Sequence, residues 1–410
     1  IVKEHGVNGF LSVIDDLLVG HKLPNGVVKT LDPMRVSFSH LFEALVGPID
    51  AERSLTAMLH ENVVGGAITP SAFPSVTEKL ISAIAIRGYE ERRAVADILV
   101  PETYDPKTIT ERIPGFTTMS SPKNIMPGEA YPAADFGEKF ASFEEAIHHK
   151  KEGYEIPVTE EAIRFDQSNM ILRNAQGIGR TLRTEYERRT VRACLGIGLD
   201  TGTTMNGVYF PSGTDTALYR ASVSNLRTNT TPLYNHPGKT ADSKLEDYTD
   251  IAEVLTTHAQ NIKDDRQLGN TRPVSWNPDV VLVPTALGPN LANIMSSTQV
   301  RVTSTDATLG TNYGVSNYAP SPLTQLVTMG LGSTPTPVMS QYVDEVSSSA
   351  WVMFDRSATF VRINIFPFQV FRSPTGYGWN QDVLVSFRAR QWTRVVALDF
   401  RLCMYNPGAA

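Results

Sequence analysis

Three kinds of residue grouping in this chain are of a type that could do chemistry. His148-His149 could hold a metal, Glu144-Glu145 and Glu160-Glu161 could pair as acid and base, and Gly177-Ile-Gly179 and Gly196-Ile-Gly198 could cradle a phosphate. Each reads better as structure. Adjacent residues on a strand point to opposite faces, and no cysteine, aspartate or third histidine completes a ligand set for His148-His149. A dinucleotide loop needs a strand before it and a helix after it. Here the first glycine pair falls inside a helical pattern and the second ends one. The glutamate pairs sit in exposed-looking segments, where helix-start electrostatics accounts for them without a cleft.

No nucleophile elbow, Walker A sequence or H-E-x-x-H motif occurs. The two cysteines, Cys194 and Cys403, are too few for a disulfide scaffold and read as buried thiols of a protein made in a reducing compartment. Asn229-Thr-Thr231 matches a glycosylation acceptor, which has no meaning without a secretory route. The expectation is therefore no catalytic residue, no cofactor and no metal. Apolar residues are 41% and charged residues 20% of 410, a globular composition with enough chain for more than one core. A formal charge of -6 opposes tight phosphate binding by the chain as a whole. No apolar run is long enough to span a membrane. Ile1-Val-Lys-Glu-His5 lacks signal-peptide architecture and an initiator methionine, so trimming or proteolytic maturation is expected upstream.

The elements that would position any site are mixed. Residues 1–100 read as mostly helical: Phe10, Val13, Ile14, Leu17 and Leu18 recur at helical spacing, Pro24-Asn-Gly26 marks a turn, and Phe38, Leu41, Phe42 and Leu45 form a run ending at Gly47-Pro48. A third helical run is predicted from Pro74 to Leu99, with Thr69 or Ser71 as its cap or Pro74 in its first turn. Residues 101–163 are broken by prolines and glycines yet carry Phe116, Tyr131, Phe136, Phe140, Phe143 and Tyr154, as an extended two-stranded arm would. A short strand at 154–159 leads into a helix start at Thr159-Glu-Glu161. The longest helix follows over 168–195, with Ile171, Ala175, Ile178, Leu182 and Tyr186 on one stripe. Beyond it, 199–244 reads as turns and short strands and 245–265 as helix. Asp279–Pro284 reads as a buried strand, Leu287–Met295 as a short helix and 300–348 as loops. Strands are predicted over 358–366, 382–390 and 395–405.

Charge is partitioned between the arm and the long helix. Residues 101–163 carry twelve acidic against six basic side chains, whereas 164–195 carry seven basic against three acidic. Every basic residue on the helix is arginine, suited to bidentate carboxylate pairing. An arm rich in aromatics needs a surface to cover them, and on a neighbouring copy the opposite charges would set register. The candidate intersubunit residues are Arg173, Arg180, Arg183, Arg188 and Arg192 on the helix and Glu129, Asp135 and Glu138 on the arm. The plainer reading is a solvated helix face with local pairs such as Glu185–Arg189. The same arginines could instead face packaged DNA.

Thr69-Pro-Ser-Ala-Phe-Pro74, the arm from Ile113-Pro-Gly115 to Tyr131, and Tyr154-Glu-Ile-Pro-Val-Thr-Glu-Glu-Ala-Ile163 running into the arginine-rich helix resemble the major capsid proteins of tailed bacteriophages. Asn277–Pro284, Phe387-Arg-Ala-Arg390 and Ala397-Leu-Asp399 continue the resemblance more weakly. It implies an α+β phage major-capsid fold, shared with encapsulins. Residues 1–100 would be an N-terminal arm or extension and 101–163 an extended loop. Residues 164–244 would form a peripheral domain with a long spine helix and 245–380 an axial domain, and 381–410 would return as strands to the core. The first hundred residues are longer than the family's usual N-terminal arm. Some members crosslink lysine to asparagine; Lys123 and Lys139 lie in the loop, but no asparagine or glutamate aligns with them, so that reaction is not carried over.

The function the resemblance implies is a structural subunit of an icosahedral head, assembled in the host cytoplasm and resident in the virion. Its partners would be itself as hexamers and pentamers, portal, scaffold and decoration proteins, and weakly held DNA on the inner face. An encapsulin-like nanocompartment shell is the alternative, and an enzyme working in the 199–244 or 300–348 loops is a third. Reversing Arg180, Arg183 and Arg188 to glutamate is expected to leave a folded subunit that assembles poorly, read by circular dichroism and electron microscopy.

Overall fold

The computed structural model describes residues 18, 21–22, 28–29, 32–49, 53–61, 72–91, 95–105, 111–114, 142–145, 151–165, 167–196, 223–224, 232–233, 245–246, 248, 250–252, 254–255, 263–264, 272–273, 276–296, 299–304, 315–320, 334–372, 383–397 and 402–406. In chain order the helices are α1 (Phe38–Leu45), α2 (Leu55–Glu61), α3 (Ala72–Glu90), α4 (Val95–Leu99), α5 (Glu160–Arg164), α6 (Ser168–Cys194), α7 (Gly288–Ser296) and α8 (Gln341–Asp344). The first strands are β1 (His21–Lys22), β2 (Val28–Lys29), β3 (Thr103–Tyr104), β4 (Glu111–Pro114), β5 (Ser142–Glu145) and β6 (Glu152–Thr159). Short pairs follow: β7 (Val223–Ser224) with β8 (Pro232–Leu233), and β9 (Lys263–Asp264) with β10 (Arg272–Pro273). The remainder are β11 (Val280–Val283), β12 (Gln299–Ser304), β13 (Val315–Pro320), β14 (Thr336–Met339), β15 (Trp351–Phe354), β16 (Phe360–Arg372), β17 (Val383–Ala397) and β18 (Cys403–Asn406). The mixture is α+β.

The chain divides into two compact units, each built from separated stretches. The first comprises Ile1–Ala94, His149–Tyr186 and Ile365–Thr393. Its strands β6 and β17 run antiparallel, with Ile156 opposite Phe387 and Gly153 opposite Arg390. Phe38, Phe42 and Leu45 of α1, Leu55 of α2 and Phe73, Val76, Leu80, Ile81 and Ile84 of α3 form one core with Ile156, Val158, Ile163, Ile171, Leu172, Val385 and Phe387. Helix α3 crosses α6 at two glycines. A methyl group at Gly179 would overlap the Ala85 carbonyl oxygen and sit 2.9 Å from the Tyr89 nitrogen, and one at Gly88 would overlap the Gln176 carbonyl oxygen. The glycine inside the long helix thus permits close backbone approach, at a propensity cost of about 1 kcal/mol.

The second unit comprises Val95–His148, Glu187–Asn364 and Arg394–Ala410. Its four-stranded sheet has the order β14-β11-β15-β18, with β11 parallel to β14 and antiparallel to β15, and β15 antiparallel to β18. Strands β11, β15 and β18 are buried along their whole length, which is why each reads as a continuous run with little polar character. Alternate side chains serve different cores. Val280, Leu282, Val352, Phe354, Cys403 and Tyr405 pack with Leu99, Val191 and Leu195, whereas Val281, Val283, Trp351, Met353 and Met404 pack with Leu245, Ile251, Trp276 and Leu291. Cys194 and Cys403 are both buried and unbridged. Burial pushes the Cys194 thiol far above its ordinary value.

Several expectations are met closely. Helix α1 ends before Gly47-Pro48, α6 ends where Gly196 turns left-handed at φ 73°, and Asp279–Pro284 contains buried β11. Others need correction. The run from Pro74 to Leu99 is not one helix: α3 buries its apolar face in the first unit's core, while Ala96 and Leu99 of α4 belong to the second unit. One straight stripe cannot serve both. Residues 263–264 are strand, not the end of a helix, and 299–348 holds β12, β13, β14 and α8 where loops were expected. The strands predicted at 382–390 and 395–405 become the single β17 and the separate β18, because β17 holds its pairing to β6 through Gln391 and then continues to Ala397. The proposed caps Thr69 and Ser71 lie outside the described residues. Gly179→Ala should destabilise the subunit by about 1–3 kcal/mol through steric overlap, measured by chemical denaturation, whereas Gly177→Ala, with open space around it, should not.

Candidate assembly surface

The long helix α6 organises the candidate site. It is prepared by α5, whose first turn is capped by Thr159: its Oγ1 accepts from the Ala162 N–H at 3.3 Å. Glu160 and Glu161 occupy that first turn, where carboxylates favour the helix dipole. Glu160 does more. It accepts from the Ser54 hydroxyl at 2.9 Å, from the Leu55 N–H, and from Arg164 Nε at 2.9 Å. Burial pushes its pKa up, but these hydrogen bonds and the Arg164 charge outweigh that and hold the carboxyl below the ordinary range. Arg164 also donates from Nη2 to the Arg53 carbonyl.

Along α6, Ile171, Leu172, Ala175, Leu182, Tyr186, Val191 and Cys194 are buried, so its arginines are pushed to the margins of the apolar stripe. Most of the five candidate arginines meet partners in their own chain. Arg180 pairs with Glu91, Nη2 to Oε2 at 2.6 Å, and Gln176 donates to the same oxygen at 3.3 Å. The Arg183 guanidinium lies 5.0 Å from the Tyr89 ring centre and 5.3 Å from that of Tyr186, within cation–π range. Arg188 pairs with Glu345 at 2.8 Å. The two ion pairs are surface pairs, worth ~0.2–1 kcal/mol each. Arg192 is half-buried, its Nε without a hydrogen-bond partner among the described residues. Arg173 is exposed. Glu129, Asp135 and Glu138 lie outside the described residues, as do His148, His149, Lys123, Lys139 and Asn229. Of the arm, β4 and β5 are described: they pair antiparallel, with Arg112 opposite Glu144 and Ile113 opposite Phe143.

Sequence reasoning missed two features. The first is the set of carboxylates that take up the arginines, Glu91 and Glu345, which lie far away in the chain and carry no local signal. The second is a pair of exposed apolar side chains near the start of the long helix: Phe165 is 73% exposed and Met170 61%. Met170 and Arg173 stand three residues apart, on one helix face. Phe165 is the C-cap of α5, where a helical pattern ceases to predict burial. Among the described residues no group of three His, Cys, Asp or Glu side chains could hold a metal, and no helix is long and apolar enough to cross a membrane. The arrangement offers contact surface and ion pairs.

The sequence profile of a family described as phage capsid protein matches residues 144–403. No curated protein matches the chain. Among solved structures, the chain is similar to a virus-like particle from Pyrococcus furiosus at 8% identity, covering 80% of this chain and 98% of that one, with a TM-score of 0.40. It is also similar to a structure of Mycobacterium phage Che8, at 14% identity over 77% and 91% of the two chains and a TM-score of 0.39. A third is the SrpI encapsulin complex of Synechococcus elongatus, at 10% identity over 75% and 84%, with a TM-score of 0.38.

The Glu160 hydrogen bonds give a signed pH dependence. A carboxyl lowered on folding stabilises the native state above its unfolded pKa, and the contribution is lost as pH falls through the lowered folded value. Glu160→Gln should cost about 1 kcal/mol at neutral pH, the difference between charged and neutral hydrogen bonds, and should flatten the acid limb of a stability–pH curve measured by urea denaturation.

Proposed function

This chain belongs to the phage capsid protein family and is a structural subunit of a capsid, and from that premise we propose that it assembles into the hexamers and pentamers of an icosahedral head enclosing double-stranded DNA. The match over residues 144–403 carries the reading. Assembly would take place in the host cytoplasm, with portal, scaffold and decoration proteins as further partners. Contact with DNA would be weak and non-specific, in keeping with the formal charge of -6.

Within that reading, 101–163 serves as the extended loop, 164–244 as the peripheral domain with α6 as its spine, 245–380 as the axial domain and 381–410 as the returning strands. The loop of one copy lies on the long helix of the next. Its acidic residues Glu129, Asp135 and Glu138 then meet the helix's basic face. The weight falls on Arg173, because Arg180, Arg183 and Arg188 already meet Glu91, Tyr89 and Glu345 of their own chain. Exposed Met170, three residues before it on the same helix face, and exposed Phe165 at the α5 C-cap suit the aromatics of the loop. A charge reversal at Arg180 or Arg188 also disturbs its own subunit, so the triple reversal does not isolate assembly.

Purified full-length protein should form closed shells visible by electron microscopy, with nucleic acid inside particles recovered from infected cells. Persistent monomers across salt and scaffold conditions would refute the shell reading, and a protein cargo in place of DNA would favour a nanocompartment. Phe165→Ser with Arg173→Glu should leave the thermal midpoint within a few degrees of the parent, as exposed substitutions do, while shell yield falls sharply. Normal shells from that variant would remove the loop-on-helix contact and leave the shell reading intact.

A further inference from the structure

The described stretches 32–49 and 53–61 precede the part of the chain matched by the family profile, and the proposed function gives them no task. They are nonetheless held by the residues that begin the long helix. Ser168, the first residue of α6, is buried and accepts from the Phe38 N–H through its Oγ at 2.6 Å. Glu160 accepts from both the Ser54 hydroxyl and the Leu55 N–H, at the start of α2. Arg164 donates to the Arg53 carbonyl while also pairing with Glu160. Three side chains within nine positions are thus committed to a segment more than a hundred residues earlier.

The apolar packing is of the same kind. Phe38, Phe42 and Leu55 are completely buried, and Leu45 nearly so. Phe42 meets Phe73 edge-on, with ring centres 5.2 Å apart. They share one core with Ile163, Ile171, Leu172 and Phe387, residues that the family match does include. If these two stretches were absent, that face of the core would be open to water. Ser168 would also lose the Phe38 N–H, and Glu160 the Ser54 hydroxyl and the Leu55 N–H. Losing several large buried side chains removes a stabilisation comparable with the whole net stability of a domain.

We infer that residues 33–49 and 53–61 are a permanent cover on the α5–α6 joint, retained in the assembled shell, and not an extension removed during maturation. Proteolytic trimming of the N-terminus therefore stops before residue 33. The cover acts within one subunit and holds whether or not the loop-on-helix contact exists.

The test uses the full-length chain with a recognition sequence for a site-specific protease inserted between Gly65 and Gly66. After cutting, the N-terminal fragment should stay with the remainder, both in size-exclusion chromatography of the soluble subunit and in sedimentation of assembled particles, and should leave only in denaturant. A fragment that departs in native buffer while the remainder keeps its helical circular dichroism overturns the inference. The unmodified chain supplies a second measurement, independent of whether the insertion folds. Intact mass of subunits from assembled particles should include residues 33–61, and a shell subunit starting after residue 33 overturns the inference equally.

Discussion

The backbone of α3 lies so close to α6 that neither Gly88 nor Gly179 has room for a side chain. Much of the first unit depends on this crossing. A helix of 27 residues carrying this many arginines buries only a narrow stripe, and isolated it would be held by propensity and little else. Bringing α3 against it gives the stripe a partner. It also decides where the arginines go: displaced to the edges, Arg180 and Arg183 reach Glu91 at the end of α3 and Tyr89 within it. The ion pair and the ring contact follow from the glycine crossing.

This ordering matters for a protein that must bind copies of itself. Charges satisfied within the subunit offer little to a neighbour, since re-pairing exchanges one surface contact for another. Fewer charges of the helix are therefore available to a neighbour than its charge pattern suggests. Arg173, Phe165 and Met170 combine one cation with two exposed apolar side chains.

The second unit uses a different device. Its central strands β11 and β15 alternate their side chains between two cores, so both must be apolar on both faces. A sheet of this kind tolerates no polar substitution along those strands without leaving an unpaired group in one core or the other. Cys194 and Cys403 fit the same rule: each is a small apolar body in a closed cluster, and burial keeps the Cys194 thiol protonated.

Local patterns in the sequence were enough for α1, for α6 with its Gly196 stop, for the capped start at Thr159 and for the buried strand at 280–283, because each is specified by neighbours within a few residues. The separation of charge between 101–163 and 164–195, the basis for naming five helix arginines, was equally legible. What the sequence could not supply was which charges remain available. Glu91 lies 89 positions from Arg180 and Glu345 lies 157 from Arg188, and Ser168 serves a backbone nitrogen 130 positions away. The break between α3 and α4 and the extension of β17 to Ala397 have the same origin. Periodicity reports that a face is buried, but the core that buries it is chosen by chain segments distant in sequence, and only the tertiary structure brings those together.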